Sequence, residues 1–307
     1  MIKINSFNNF IGKKQIIDNL KIYINSCKIN NLPLEHCLFY GLPGTGKTTL
    51  AKIISNELKR NIHIVQGSMI QKPIDIINLL LSINDNDILF IDEIHAVNTN
   101  CFELFYSAME NNVLDINIGK DFNSKLTRID LPKFTLIGAT TILGKIPQPL
   151  EDRFGIIMNL NYYDEEEIQK IIIFYANKLK VNLTEEEIIK LIEPCKGIPR
   201  LAYKFIRRIK DFRLWKSEIS IKDILFKLGY IYKGYTNNDY LYLKSLVENQ
   251  NNLSIKTISQ ILGLNELTIE LKIEPYLIKM GLINKSSKGR TISKKGIEVY
   301  KRLLKNN

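Results

Sequence analysis

The chain has 307 residues, of which 45% are hydrophobic and 24% charged. At roughly 150 residues per domain this length suits two domains and tolerates three, each able to bury a core, so disorder, a collagen and a disulfide-stapled miniprotein are excluded. Lysine and arginine number 43 against 32 aspartates and glutamates, a formal charge of +11 that favours an anionic partner, of which nucleic acid is the commonest.

The start of the chain, Met1-Ile2-Lys3-Ile4-Asn5, has no apolar core and cleavage site of a signal peptide. No segment approaches the ~20 consecutive apolar residues of a membrane helix. Cys27, Cys37, Cys101 and Cys195 form no CxxC pair, which points to free thiols in a reducing compartment, the cytoplasm, and away from zinc or disulfides. The three histidines are too scattered for a metal site.

Residues 13–29 place Ile16, Ile17, Leu20, Ile24 and Cys27 at helical spacing, an amphipathic first helix. From Cys37 to Thr141 four short apolar runs alternate with helical stretches: Cys37–Tyr40, Ile62–Val65, Ile88–Ile91 and Phe134–Ile137. That pattern predicts an α/β domain with a parallel sheet covered on both faces. From Asp164 to about Leu228 the periodicity is helical, with Thr184 and Glu185-Glu186-Glu187 as a cap and acidic first turn. The polar stretch Lys233–Asp239 marks a further boundary, giving domains over 1–160, 161–234 and 235–307.

Gly41-Leu42-Pro43-Gly44-Thr45-Gly46-Lys47-Thr48 fits the P-loop pattern between an apolar strand and a helix that starts with Thr49. Its glycines let backbone N–H groups wrap phosphates at a helix N-terminus. Lys47 would reach the β- and γ-phosphates of ATP and the Thr48 hydroxyl would hold Mg²⁺. The strand Ile88–Ile91 delivers Asp92 and Glu93 at its C-terminal end, where ligands bind in open α/β sheets. Asp92 suits the Mg²⁺ shell and Glu93 the general base that activates water. His95 is either a ligand at this site or a capping and packing residue. Thr140 and Thr141 end the next strand and set a hydroxyl beside the γ-phosphate position, and Arg153 and Arg200 follow in polar turns.

Phosphate loop, acidic strand, hydroxyl sensor, arginine finger and helical lid with a second arginine occur here in the order of the AAA+ ATPases. Phe10-Ile11-Gly12, Ile91-Asp92-Glu93-Ile94-His95, Ala108-Met109-Glu110, Gly138-Ala139-Thr140-Thr141, Asp152-Arg153-Phe154-Gly155, Pro199-Arg200 and Glu274-Pro275-Tyr276-Leu277-Ile278 together make the chain resemble the RuvB family of Holliday-junction branch-migration motors. The resemblance spans nearly the whole chain. It implies that Gly44, Lys47, Thr48 and Thr49 hold the triphosphate, with Phe10, Ile11, Gly41, Gly46 and Glu110 also on the nucleotide. Thr141 would be the first sensor, Arg153 the finger completing a neighbouring subunit's site, and Tyr163 and Arg200 nucleotide contacts from the lid side.

The same resemblance implies homo-hexameric rings on duplex DNA and four-way junctions, in recombination and repair, with a junction resolvase alongside. Residues 113–131 alternate on both sides of a polar loop, the pattern of a β-hairpin. In the family this hairpin docks the partner RuvA. Ser254 caps a helix bearing Ile255, Ile258, Ile261 and Leu262, Gly263 turns the chain, and a second helix runs from Asn265 towards Met280, interrupted by Pro275, which removes one N–H and clashes with the preceding turn. A short strand, a Ser-Ser-Lys-Gly turn and another strand then resemble the wing of a winged-helix domain. Lys285, Lys288 and Arg290 on that turn are the candidate DNA-binding residues, suited to phosphates without reading sequence.

The chain departs from the family pattern at Lys3-Ile4, which replaces an Arg-Pro, and at Asn111-Asn112, Ile142 and Glu151. Two rival functions use the same motifs: a clamp-loader or helicase-loader ATPase, and a nucleotide-gated DNA-binding regulator. The hairpin and wing speak against the first, and Glu93 with Arg153 against the second.

Overall fold

The computed structural model describes residues 4–118, 125–249 and 252–305. They fall into two compact units, Met1–Tyr163 and Asp164–Asn307.

The first unit begins with α1 (Lys14–Asn30), β1 (Cys37–Tyr40), α2 (Lys47–Leu58), β2 (Ile62–Gln66), α3 (Pro73–Leu81) and β3 (Ile88–Asp92). It continues with α4 (Phe102–Asn111), β4 (Val113–Ile118), β5 (Lys125–Asp130), β6 (Thr135–Thr140), α5 (Gln148–Glu151) and β7 (Ile156–Asn159). Five strands make a parallel sheet in the order β2-β3-β6-β1-β7. Successive strand residues point to opposite faces, and the two faces feed separate cores. Leu38, Leu89, Ile91 and Leu136 pack with α3 and α4, through Ile76, Leu80, Phe102 and Phe105. Cys37, Phe39, Ile88, Phe90, Ile137 and Ala139 pack with α1 and α2, through Leu20, Ile24, Leu50 and Ile54.

All four apolar runs of the sequence are strands, and β7 is a fifth that hydrophobic patterning did not reveal. β4 and β5 pair antiparallel from Val113↔Asp130 to Ile118↔Lys125, and Arg128 grips Asp115 across the pair at 2.7 and 3.0 Å. The hairpin expected from alternation is present; its tip, 119–124, lies outside the described residues.

The second unit opens with α6 (Glu165–Leu179), α7 (Glu185–Ile192), α8 (Pro199–Trp215) and α9 (Ile221–Lys227). Asp164 and Thr184 cap α6 and α7, each accepting from the N–H of the glutamate three residues on while that glutamate reaches back. Then come α10 (Asn237–Asn249), α11 (Ile255–Leu262), α12 (Glu266–Thr268), α13 (Glu274–Lys279), β8 (Ile283–Ser286), β9 (Gly289–Ile292) and α14 (Lys294–Lys305). Ser254 caps α11 and Gly263 ends it with φ +64°.

The helix expected from Asn265 towards Met280 with an interruption at Pro275 is indeed in two parts, joined by a π-helical turn over Ile269–Ile273. Pro275 is the reason. It sits in the first turn of α13, where its missing N–H has no helical acceptor in any case. β8 and β9 pair antiparallel with Lys285 opposite Arg290, which is the wing. Among the described residues no helix is long and apolar enough to cross a membrane, and no group of three His, Cys, Asp or Glu side chains is placed to hold a metal ion.

Candidate active site

The loop between β1 and α2 is shaped by its glycines. Gly41 has φ +139°, and a Cβ there would fall 2.3 Å from the Leu160 carbonyl oxygen, so only glycine fits against this chain. Gly46 (φ +109°) lies under the Phe10 ring, which a Cβ would meet at 3.2 Å. The Tyr163 hydroxyl donates to the Thr45 carbonyl at 2.9 Å. Phe10, Gly46 and Tyr163, singled out separately in the sequence, therefore converge on the loop. Ile11 adjoins this group as a half-buried residue, and Thr49 lies in the first turn of α2.

Lys47 is 6% exposed, and its Nζ donates to the Gly41 and Leu42 carbonyls at 2.8 and 3.1 Å. The ammonium thus spans the mouth of the loop, beside the backbone N–H groups that open α2. Thr48 Oγ1 donates to Asp92 Oδ2 at 3.3 Å, joining the start of α2 to the end of β3. Both oxygens are hard donors of the kind Mg²⁺ takes.

Glu93 follows Asp92 in left-handed backbone, φ +51°. Its Oε2 accepts from the Thr141 hydroxyl at 3.0 Å and from the Thr141 N–H at 3.2 Å. His95 Nδ1 is 3.2 Å from the same oxygen and 2.9 Å from Thr140 Oγ1. Burial pushes the His95 pKa down against the pull of the Glu93 carboxylate, with Lys145 and Lys47 adding to the fall. The imidazole sits between the Glu93 carboxylate and the Thr140 hydroxyl at the end of β6. This resolves His95 as a neighbour of Glu93 and Thr140; its partner is 45 residues away in sequence, which no local pattern discloses. A second neighbour that sequence reasoning missed is Gly67, where a Cβ would fall 2.3 Å from the Glu93 carbonyl oxygen.

Arg153 is placed apart from this cluster. Its guanidinium donates to Glu110 Oε2 at 2.9 Å and to the Pro149 carbonyl at 2.6 Å, and lies 4.9 Å from the Tyr106 ring centroid. Glu110, expected at the nucleotide, is thus the partner of the arginine in this chain. Arg200 is an exposed residue in the first turn of α8 in the second unit.

The wing corrects one expectation of the sequence. Arg290 does not present an exposed charge: its side chain is 8% exposed, and it donates from Nε to Glu274 Oε1 at 2.8 Å and from Nη2 to Glu270 Oε1 at 3.0 Å. The reason is strand alternation, which turns this residue towards α13, where Glu274 is 1% exposed and also accepts from the Tyr242 hydroxyl at 2.9 Å. Burial alone would lower the Arg290 pKa, but Glu274 holds it above the usual arginine value. Lys285 is exposed and bonds Glu270 Oε1 at 2.9 Å, and Lys288 is exposed at the turn.

Three family models match the chain. They describe a Holliday junction DNA helicase RuvB P-loop domain over residues 2–160, a RuvB AAA lid domain over 163–227 and a RuvB C-terminal winged helix domain over 232–301. The Holliday junction branch migration complex subunit RuvB of Ureaplasma parvum is 50% identical over 301 residues, 97% of this chain and 95% of its own. The same subunit of Mycoplasma genitalium is 45% identical, with 96% of each chain covered. Among solved structures, the Thermotoga maritima RuvB Holliday junction branch migration motor superposes with a TM-score of 0.86 at 31% identity, over 99% of this chain and 98% of that one. With a P-loop ATPase domain, an AAA lid and a winged helix matched in order along its length, the chain belongs to the RuvB family.

Proposed function

We propose that the protein is an ATP-driven motor that moves Holliday junctions in recombination and repair, working in the cytoplasm as a homo-hexamer on duplex DNA. The observation that carries this reading is the meeting of Lys47, Thr48, Asp92, Glu93 and Thr141 at the C-terminal ends of β1, β3 and β6. Side chains from three adjacent strands converge where an α/β sheet binds its ligand.

In this mechanism Lys47 contacts the β- and γ-phosphates, and Thr48 and Asp92 hold Mg²⁺. When bound, Mg²⁺ neutralises charge on the phosphate oxygens. Glu93 takes the proton of the attacking water at Oε2 while Thr141 keeps that carboxylate aimed. Arg153 acts on the site of the neighbouring subunit, and its pairing with Glu110 holds the guanidinium ready at the surface. Tyr163 and Arg200 contact the nucleotide, so that hydrolysis reorients the lid helices. Lys285 and Lys288 meet DNA phosphates, and Arg290 fixes the wing that presents them. The hairpin 113–131 docks a RuvA-like junction-binding partner, with a junction resolvase acting on the same DNA.

The test is ATP-dependent movement of a synthetic four-way junction, with and without the RuvA-like partner, by the wild type and Lys47→Ala. Movement by the wild type alone of the two supports the motor. Robust ATP hydrolysis without movement would favour a ring loader.

A further inference from the structure

In the second unit a nearly enclosed ion pair joins the turn that opens α8 to the start of α10. Lys196 stands just before Gly197-Ile198-Pro199-Arg200, and both Lys196 (φ +52°) and Gly197 (φ +72°) take left-handed backbone. Lys196 Nζ bonds Asp239 Oδ2 at 2.9 Å, and the two side chains are 12% and 2% exposed. The same carboxylate oxygen accepts from the Thr236 N–H at 2.7 Å and hydroxyl at 2.9 Å, so Asp239 also closes the first turn of α10. The ammonium lies 4.6 Å from the ring centroid of Tyr276, which is on α13 beside the wing-holding Glu274.

Two neighbouring contacts run the same way. Lys233 bonds Glu193 at 2.8 Å, and Gly234 packs so closely on Pro194 that a Cβ would fall 2.3 Å from its Cα. One cation therefore touches three elements: the turn leading to Arg200, the first helix of the winged domain, and the helix that anchors the wing. A buried pair of this kind resists separation, because parting it strands a charge away from water. Exposed pairs such as Lys190–Glu186, 61% and 85% exposed, carry no such stiffness.

We propose that Lys196 is a positioning residue that couples the nucleotide-facing turn of the lid to the winged domain, so that a change at Arg200 is transmitted to the wing through Asp239 and Tyr276. This rests on the reading above, in which Arg200 meets nucleotide and the wing meets DNA. Coupling of this kind is a difference in DNA affinity between nucleotide states, of about 5- to 150-fold in typical cases.

The experiment measures binding of a fluorescent duplex by the full chain without nucleotide and with a slowly hydrolysed ATP analogue, together with basal ATPase and junction movement. The variants are Lys196→Met, Lys196→Arg and the double variant Lys196→Met/Asp239→Asn, which removes both charges and leaves no lone buried carboxylate. Lys196→Met and the double variant are expected to keep basal ATPase and nucleotide-free DNA affinity within about 2-fold. Their nucleotide-dependent shift should shrink to under about 2-fold, from the typical coupling range, and junction movement per ATP should fall with it. Lys196→Arg should restore both. A double variant that keeps the wild-type shift overturns the coupling while leaving the motor reading standing. A wild type with no shift and no junction movement overturns that reading and the coupling together.

Discussion

The Glu93 carboxylate is held by Thr141 through both the hydroxyl and the backbone N–H, at 3.0 and 3.2 Å to one oxygen. The hydroxyl can be removed without touching the N–H. Thr141→Val is expected to lower kcat about 10- to 100-fold, as loss of a hydrogen bond to a charged group, ~1.5–3 kcal/mol, would dictate. Thr141→Ser should recover most of the rate. Steady-state ATPase with a nucleotide-binding titration separates this from lost affinity, and an unchanged kcat in Thr141→Val would refute the role.

Gly67 offers an approach to the same residue from beneath. Because a Cβ there would fall 2.3 Å from the Glu93 carbonyl oxygen, Gly67→Ala has to push the Glu93 main chain away. The expected outcome is a fall in kcat with ATP binding retained, since the clash is with the Glu93 main chain and not with the Lys47 loop. Equal losses in binding and turnover would mean that the substitution disturbs the whole sheet edge.

The buried wing arginine predicts a stability effect. Arg290→Met takes the guanidinium from Glu274, which is 1% exposed and keeps Lys285 at 3.4 Å and the Tyr242 hydroxyl at 2.9 Å, and breaking a buried pair of this kind costs roughly 3–5 kcal/mol. Urea unfolding of the full chain should show the loss in the second unit, and adding Glu274→Gln should recover part of it. A wild-type unfolding curve for Arg290→Met would contradict the burial.

Glu270 Oε1 lies 2.9 Å from Lys285 Nζ and 3.0 Å from Arg290 Nη2, so one carboxylate oxygen engages both wing cations. The hydrogen bond from Lys285 is the main reason that its pKa sits below the usual carboxylate value, so it stays charged at neutral pH. Glu270→Gln removes the nearer of the two carboxylates on Lys285, the other being Glu274 Oε2 at 3.4 Å, and should tighten duplex binding and steepen the log–log salt slope by up to about 0.9, the contribution of one further contact. Adding Lys285→Ala to Glu270→Gln should cancel that steepening. Titrations at several salt concentrations decide the matter, and a Glu270→Gln slope equal to wild type would count against it.

Asp87 carries a pH prediction. Burial by itself would raise its pKa, but hydrogen bonds from His63 at 2.9 Å and the Asn84 N–H at 3.1 Å outweigh burial and hold it below the ordinary value. A carboxylate depressed in the folded state contributes stability that is whole above its unfolded pKa of ~3.9 and is lost as pH falls through the folded value. Asp87→Asn should therefore be less stable than wild type at pH 7, with the gap closing as pH drops below about 4. A gap that persists at acid pH would show packing rather than charge at work.

The chemistry of the first unit was legible because its signals are local. A four-residue apolar strand, spaced glycines and a helix start sit side by side from Cys37 to Thr49, and Asp92-Glu93 ends its own strand. β7 was missed because four residues with alternating burial carry little pattern, and its pairing to β1 is set by residues more than a hundred positions earlier. Arg290 was read as a DNA contact because it lies beside the basic turn of the wing, where the family's basic contacts fall. Its true partner, Glu274, is 16 residues back on a helix, and only the register of β8 and β9 aims the arginine at it. The split of the expected last helix was half visible: Pro275 marked the place, while the π turn before it depends on burying Ile269 and Ile273 together.

Lys47 is gripped by the carbonyls of its own loop before any phosphate is considered. A long ammonium side chain left free would surrender roughly 1.5–2 kcal/mol of rotamer entropy on meeting an anion. Here that ordering is completed when the protein folds. If Lys47 is the phosphate-binding lysine proposed above, an incoming phosphate would exchange one set of oxygen acceptors for another around a cation already held in place, a fixed electrode and not a searching arm.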